Sequence, residues 1–375
     1  MLLDTGSSDL WVTGADNSYC MDLNRGSGTV NCSEFGTFNK SLSSTYHDNG
    51  TCFAITYADH TFADGNWGQD VLYLDGVDVS GVSFAVANDT DSTVGVLGIG
   101  LEGLETADSL TNSHPHTYAN LPAILKIDGA IDTAAYSLYL DDADAPSGSV
   151  LFGGIDRSKY EGTLYTVPMV NIYKDDGKHP VEFDITLQGF GISSSLEKRT
   201  ITTSQIPVLL DSGTTLTYFP VEYVSMIADA IGALDIGSGL YISDCPSPDD
   251  DREFVFDFGG FHIKAPLKSF LIDLEEEQGT CLLGIIGKDR LPAILGDLFL
   301  THAYVVYNLD NYEMSLAQAS YTAGGEEIAA IVSGVPGAIK APGYSNTWTG
   351  NQAYTAGGNI FTLNDTASTP ATIAV

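Results

Sequence analysis

The chain has 375 residues, enough for two lobes with separate cores, because single hydrophobic cores stop growing near ~250–300 residues. Its 15 basic and 49 acidic residues give a formal net charge of −34, which argues against nucleic acid or an anionic membrane surface as a partner. The same acidity favours solubility and falls away in acid, where carboxylates protonate. No apolar run approaches the ~18 residues needed to span a bilayer as a helix.

At the start, Met1-Leu2-Leu3 runs straight into Asp4-Thr5-Gly6-Ser7-Ser8 without the charged start and apolar stretch of a secretory signal, so an incomplete N-terminus is expected. From there to about residue 318 the sequence reads as mainly β. Short runs such as Phe53-Ala54-Ile55-Thr56-Tyr57, Tyr136–Leu140 and Val150-Leu151-Phe152 are separated by Gly, Asn, Asp and Ser. A first helix is predicted near Asn120, with Pro122 in its first turn and Gly129 past its end. A second follows Pro220, where Val221, Val224, Ile227, Ala228, Ile231 and Leu234 recur at helical spacing. Residues 319–375 are rich in Gly, Ala, Ser and Thr, show no period of 2 or 3.6, and read as a flexible tail.

Cys20, Cys32, Cys52, Cys245 and Cys281 contain no Cys-x-x-Cys pair and no zinc-type spacing, so disulfides are their expected use, with at least one thiol left over. Asn-x-Ser/Thr acceptors at Asn31, Asn39, Asn49, Asn88 and Asn364 fit a secreted glycoprotein.

An internal repeat organises the chain. Asp4–Ser8 recurs as Asp211-Ser212-Gly213-Thr214-Thr215, and each copy follows an apolar lead. Val96-Leu97-Gly98-Ile99 lies downstream of the first copy, and Ile294-Leu295-Gly296-Asp297 lies downstream of the second. Two motifs duplicated in the same order imply two related lobes, taken here as 1–155 and 156–318.

An Asp on a turn tightened by the following Gly can aim its carboxylate out of a sheet, and the adjoining hydroxyls can hydrogen-bond it. One copy is an ordinary β-turn; two copies supply a pair of carboxylates. Like charges held close share a proton, so one carboxylate can take a proton from water while the other donates one to a substrate carbonyl. That chemistry needs neither metal nor other cofactor. Competing chemistries lack parts, since there is no Gly-x-Ser-x-Gly elbow, His-Glu-x-x-His motif or Walker loop. His114-Pro115-His116 has no further ligand nearby, and the Asp141, Asp142, Asp144 run has Pro146 where a calcium loop needs Gly.

These residues resemble the pepsin-like aspartic protease family across residues 1–318, most of all its fungal candidapepsin and yapsin members. The fungal likeness rests on Thr61–Asp70, Gly36–Asn39 and Tyr304–Tyr312. The resemblance implies a bilobal fold with an active-site cleft between related lobes, and a monomeric endopeptidase working on peptides in acid without a cofactor. It implies Asp4 and Asp211 as catalytic residues, with Gly6 and Gly213 in their turns. Ser7 and Thr214 would hydrogen-bond them, and Thr5 and Ser212 would lock the two loops together. Tyr57 falls at the flap tyrosine, with Trp11 as its hydrogen-bond partner. The flap departs from the usual form, as Ala58 and His60 replace common glycines. Asp59, two residues beyond Tyr57, is a candidate contact for a Lys or Arg at the cleavage site, against the alternative of capping the flap turn. Cys20 would pair with Cys32 and Cys245 with Cys281, leaving Cys52 as the odd thiol. Secretion follows from the resemblance, with cell-surface anchoring of a longer form left open. A catalytically silent relative and a secreted wall protein are the rival readings; intact Asp loops oppose the first and the duplicated motif opposes the second.

Overall fold

The computed structural model describes residues 1–20, 30–108, 117–142, 145, 147–173, 179–274, 279–289, 292–322, 324–350 and 353–362. The His114-Pro115-His116 triplet, Asp144, Pro146 and Asn364 lie outside that set. Backbone contacts divide the chain into two compact units, Met1–Ile131 and Asp132–Val375. Residue 155, where the sequence placed the change of lobe, lies within the strand Gly154–Asp156.

The first unit is built on a six-stranded sheet of β1 (Leu2–Asp4), β2 (Leu10–Thr13), β3 (His47–Thr56), β4 (Phe62–Leu74), β5 (Val77–Thr90) and β6 (Val96–Gly98), ordered β1-β6-β2-β5-β4-β3. Its core joins Trp11, Phe53, Ala63, Trp67, Ala85, Ala87 and Val96, with Tyr57 packed against them. Alternate residues of β3 and β4 supply this layer, as a sheet with one buried face requires.

The second unit contains several sheets. One has five strands in the order Asp184–Leu187, Ile206–Leu210, Ala293–Leu295, Thr217–Pro220 and Ile285–Lys288. All of Ile206-Pro207-Val208-Leu209-Leu210 is buried, as suits an unbroken apolar run covered on both faces.

The sequence repeat becomes a structural one at the level of register. In the first unit β1 runs parallel to β6 with Asp4 opposite Gly98, and β2 runs antiparallel to β6 with Leu10 opposite Leu97. In the second, Ile206–Leu210 runs parallel to Ala293–Leu295 with Leu210 opposite Leu295, and Thr217 returns antiparallel opposite the same Leu295. Each Asp loop therefore bridges the two flanks of a Leu-Gly strand.

Both predicted helices form. Leu121–Ile127 ends before Gly129 at φ 74°, and Val221–Ile231 buries Tyr223, Val224, Ile227 and Ala228. Leu234 does not continue the second helix: Gly232, at φ 76°, stops it in the left-handed region that glycine tolerates, and Leu234 opens an exposed strand.

The described part of the Gly-rich C-terminal segment is packed, in contrast to the flexible tail expected from composition. Ile328–Ala330 pairs with Gly154–Asp156, and Ile339 and Lys340 pair with Tyr165 and Thr166. Ile331, Ala341 and Ile360 are at most 3% exposed. These anchors fall at irregular intervals between Gly and Pro bends, so they leave no periodic signal to read.

Candidate active site

The first loop follows β1. The Asp4 carboxylate, 5% exposed, accepts the Gly6 N–H at Oδ1 (2.8 Å) and the Ser7 hydroxyl at Oδ2 (2.5 Å). The Asp4 carbonyl accepts the Ile99 N–H at 2.9 Å and the Ser7 carbonyl accepts the Gly100 N–H at 2.8 Å, tying the loop to the residues after β6. The second loop repeats the scheme. Asp211, 8% exposed, accepts the Gly213 N–H at Oδ1 (2.8 Å) and the Thr214 hydroxyl at Oδ2 (2.6 Å), while the Thr214 carbonyl accepts the Asp297 N–H at 2.8 Å. Thr5 and Ser212, the two residues that follow the aspartates, are both buried.

The Leu-Gly elements explain why two distant stretches recur together. A Cβ at Gly98 would stand 2.6 Å from the Asp9 N, and one at Gly296 would stand 2.1 Å from the Thr214 carbonyl oxygen. Only glycine lets each Asp loop lie this close to its neighbouring strand.

The strands β3 and β4 form a hairpin whose tip runs from Tyr57 to Thr61. Tyr57 accepts the Trp11 indole N–H at its hydroxyl (2.8 Å), and Trp11 is fully buried. Burial pushes the Tyr57 phenol well above its ordinary range, so it stays protonated. At the tip, Asp59 Oδ1 accepts both the N–H and the hydroxyl of Thr61, at 2.9 and 2.7 Å, and these bonds hold its carboxyl below the usual range. His60 adopts φ 73°, the left-handed conformation in which glycine is at ease. The disulfides join Cys20 to Cys32 and Cys245 to Cys281, and Cys52 is an exposed free thiol on β3. Asp141, at φ 67°, accepts the Asp142 N–H at its Oδ1 (2.8 Å).

Several acidic groups near these loops were not singled out from sequence. Asp9, 1% exposed, is raised by burial although it accepts the Thr106 N–H (2.9 Å) and the Tyr118 hydroxyl (2.7 Å). Asp297 follows Gly296 where the first repeat has Ile99; burial, and next the charge of Asp211, push its carboxyl to about 7. The substitution of Asp for Ile between the two copies was the available signal. Glu182 and Asp184 precede the second loop and are also pushed up by burial.

The model of the eukaryotic aspartyl protease family matches residues 1–319, a span that includes both Asp loops and the hairpin. The chain belongs to the eukaryotic aspartyl protease family. The protease is 48% identical to aspartic proteinase 3 of Saccharomyces cerevisiae, over 97% of this chain and 75% of that relative. It is 50% identical to aspartic proteinase yapsin-3 of the same yeast, over 96% of this chain and 71% of the relative. With secreted aspartic protease 9 of Candida albicans the identity is 42%, over 77% of this chain and 53% of the relative. The protein is thus an aspartic endopeptidase, and its substrates are peptides or proteins. Among the described residues no helix is long and apolar enough to cross a membrane.

Proposed function

We propose that Asp4 and Asp211 are the catalytic pair of this endopeptidase and act together on one water molecule. One observation carries the reading: the same hydrogen-bond scheme, a backbone N–H on one carboxylate oxygen and a hydroxyl on the other, surrounds two aspartates far apart in sequence. These donors fix each carboxylate plane before substrate arrives, so little reorganisation is left for the reaction itself.

In this mechanism the ionised carboxylate takes a proton from water, whose oxygen bonds to the peptide carbonyl carbon. The protonated partner gives its proton to the carbonyl oxygen. Collapse of the resulting diol breaks the C–N bond, and the leaving nitrogen takes up a proton. No metal is required by these steps.

Thr5 and Ser212 lock the two loops in this reading, and Tyr57, tethered by Trp11, belongs to a flap over the substrate. Asp59 spends Oδ1 on the flap turn, which leaves Oδ2 for a Lys or Arg at the cleavage site. The enzyme works in acid as a secreted or cell-surface monomer, with lobes 1–155 and 156–318. The test is cleavage of a protein substrate in acid with and without a statine-type inhibitor, which mimics the diol. Cleavage abolished by the inhibitor is the expected result; cleavage indifferent to it contradicts the proposal.

A further inference from the structure

Asp9 closes the first Asp loop, and its buried carboxylate is committed on both oxygens. Oδ2 accepts the Thr106 N–H at 2.9 Å and Oδ1 accepts the Tyr118 hydroxyl at 2.7 Å. Its backbone is fixed as well: the Gly98 N–H donates to the Asp9 carbonyl at 3.1 Å, and the two chains meet where a Cβ at Gly98 would stand.

Tyr118 joins this fixed point to the hairpin. Its own N–H donates to Glu105 Oε2 at 2.7 Å, so its backbone and its hydroxyl both end on buried carboxyl groups. Its ring meets Trp67 of β4 edge-on, centroids 5.2 Å apart, and Trp67 meets Phe53 of β3 edge-on at 5.1 Å. Such aromatic contacts are directional as well as apolar, so they transmit position. Trp11, two residues beyond Asp9 and on the same side of an extended chain, donates to the Tyr57 hydroxyl at the start of the tip. One short stretch thus holds the hairpin at two levels, the tip through Trp11 and the strands through Asp9 and Tyr118.

The second link persists in acid. Burial raises the Asp9 carboxyl, so as pH falls it takes up a proton before an ordinary aspartate does. A phenol hydroxyl both donates and accepts, so the neutral carboxyl gives its proton to the Tyr118 oxygen while its other oxygen keeps the Thr106 N–H. Tyr118, Tyr57, Asp4 and Glu105 are the titratable groups around this contact, and burial keeps both phenols protonated.

We propose that Asp9 is a positioning residue that acts through Tyr118 to fix the hairpin over the first Asp loop, and so sets how tightly an extended peptide is held beneath the tip. The inference rests on the reading of Tyr57 as part of a flap over the substrate. Asp9 is 1% exposed, so its influence on a substrate passes through Tyr118 and the strands.

The test measures kcat and KM for one peptide in acid with wild type, Tyr118→Phe, Asp9→Ala, their double variant and Asp9→Asn. Tyr118→Phe and Asp9→Ala should each raise KM about tenfold with kcat within about threefold, the pattern of binding lost equally from ground and transition states. The double variant should rise no further, because both changes cut one link. Asp9→Asn should stay within about threefold of wild type in KM, since its amide oxygen accepts the Thr106 N–H and its NH2 group donates to Tyr118. That rescue separates a positioning role from a requirement for charge. Tyr118→Phe removes a single oxygen and keeps the ring, so it decides the matter even where Asp9→Ala fails to fold. A folded Tyr118→Phe enzyme with KM within about threefold of wild type, or a double variant whose rise is the product of the two singles, overturns the proposal. Tyr57→Ala is the control: KM unchanged by that substitution would instead count against the flap reading beneath it.

Discussion

Gly98 and Gly296 are as demanding as the aspartates they face. Neither needs a positive φ; each is required because backbone of the adjoining Asp loop occupies the place of a Cβ. Gly98→Ala or Gly296→Ala must push a strand and a loop apart, at a cost of roughly 1–3 kcal/mol by the usual scale of overpacking. Both variants should melt at lower temperature and lose activity out of proportion to that loss, because the carboxylate planes move. A variant with unchanged melting and unchanged kcat would show that the close approach is dispensable. At this scale the site was largely legible. Asp4 and Asp211 are held by donors two and three residues away, so the motif contains its own hydrogen-bond partners. Asp184 was not legible, because its place opposite Leu209 arises from strand pairing between segments that share no motif.

At the scale of elements, the C-terminal segment shows what composition conceals. Ile331 is fully buried in a cluster with Leu164, Tyr304 and Val306, and Ile360 packs where side chains at Gly189 and Gly191 would collide with it. Few anchors suffice to hold such a segment when the surface beneath is shaped for them. Ile331→Ala should destabilise the protein by about 2–5 kcal/mol, the range for burying a cavity in place of an isoleucine side chain. A flexible tail would predict no change, so a thermal melt distinguishes the two. The helices and strands were read more reliably from sequence. The apolar face of Val221–Ile231 repeats at 3.6 residues and stops at Gly232, a local signal that tertiary packing did not override.

At the scale of the whole molecule, several buried carboxyls make stability depend on pH. Asp9, Asp184 and Asp297 all have carboxyls raised by burial. Between the ordinary carboxylate value and the raised one, the folded state holds more protons than the unfolded chain, so stability falls as pH climbs through that window. For Asp297 the window runs from 3.8 to about 7. Asp250, held low chiefly by Arg252, acts in the opposite sense, but its contribution is lost only as pH falls below the usual carboxylate range. Self-repulsion from a formal charge of −34 adds to the decline toward neutral pH. The melting temperature should therefore drop between about pH 4 and about pH 7, and Asp297→Asn should drop less than wild type over the same interval. Parallel curves for the two proteins would remove Asp297 from this account.

The central claim is that Asp4 and Asp211 work as one unit, and the most direct measurement is kcat for Asp4→Asn, Asp211→Asn and the double variant, each checked for a cooperative melt. Each single change should lower kcat by about a thousandfold or more, and the double variant should lose little beyond either single, because groups that share one function cannot be lost twice. A single variant that retains kcat within about tenfold of wild type, or a double variant whose loss is the product of the two singles, would contradict the account.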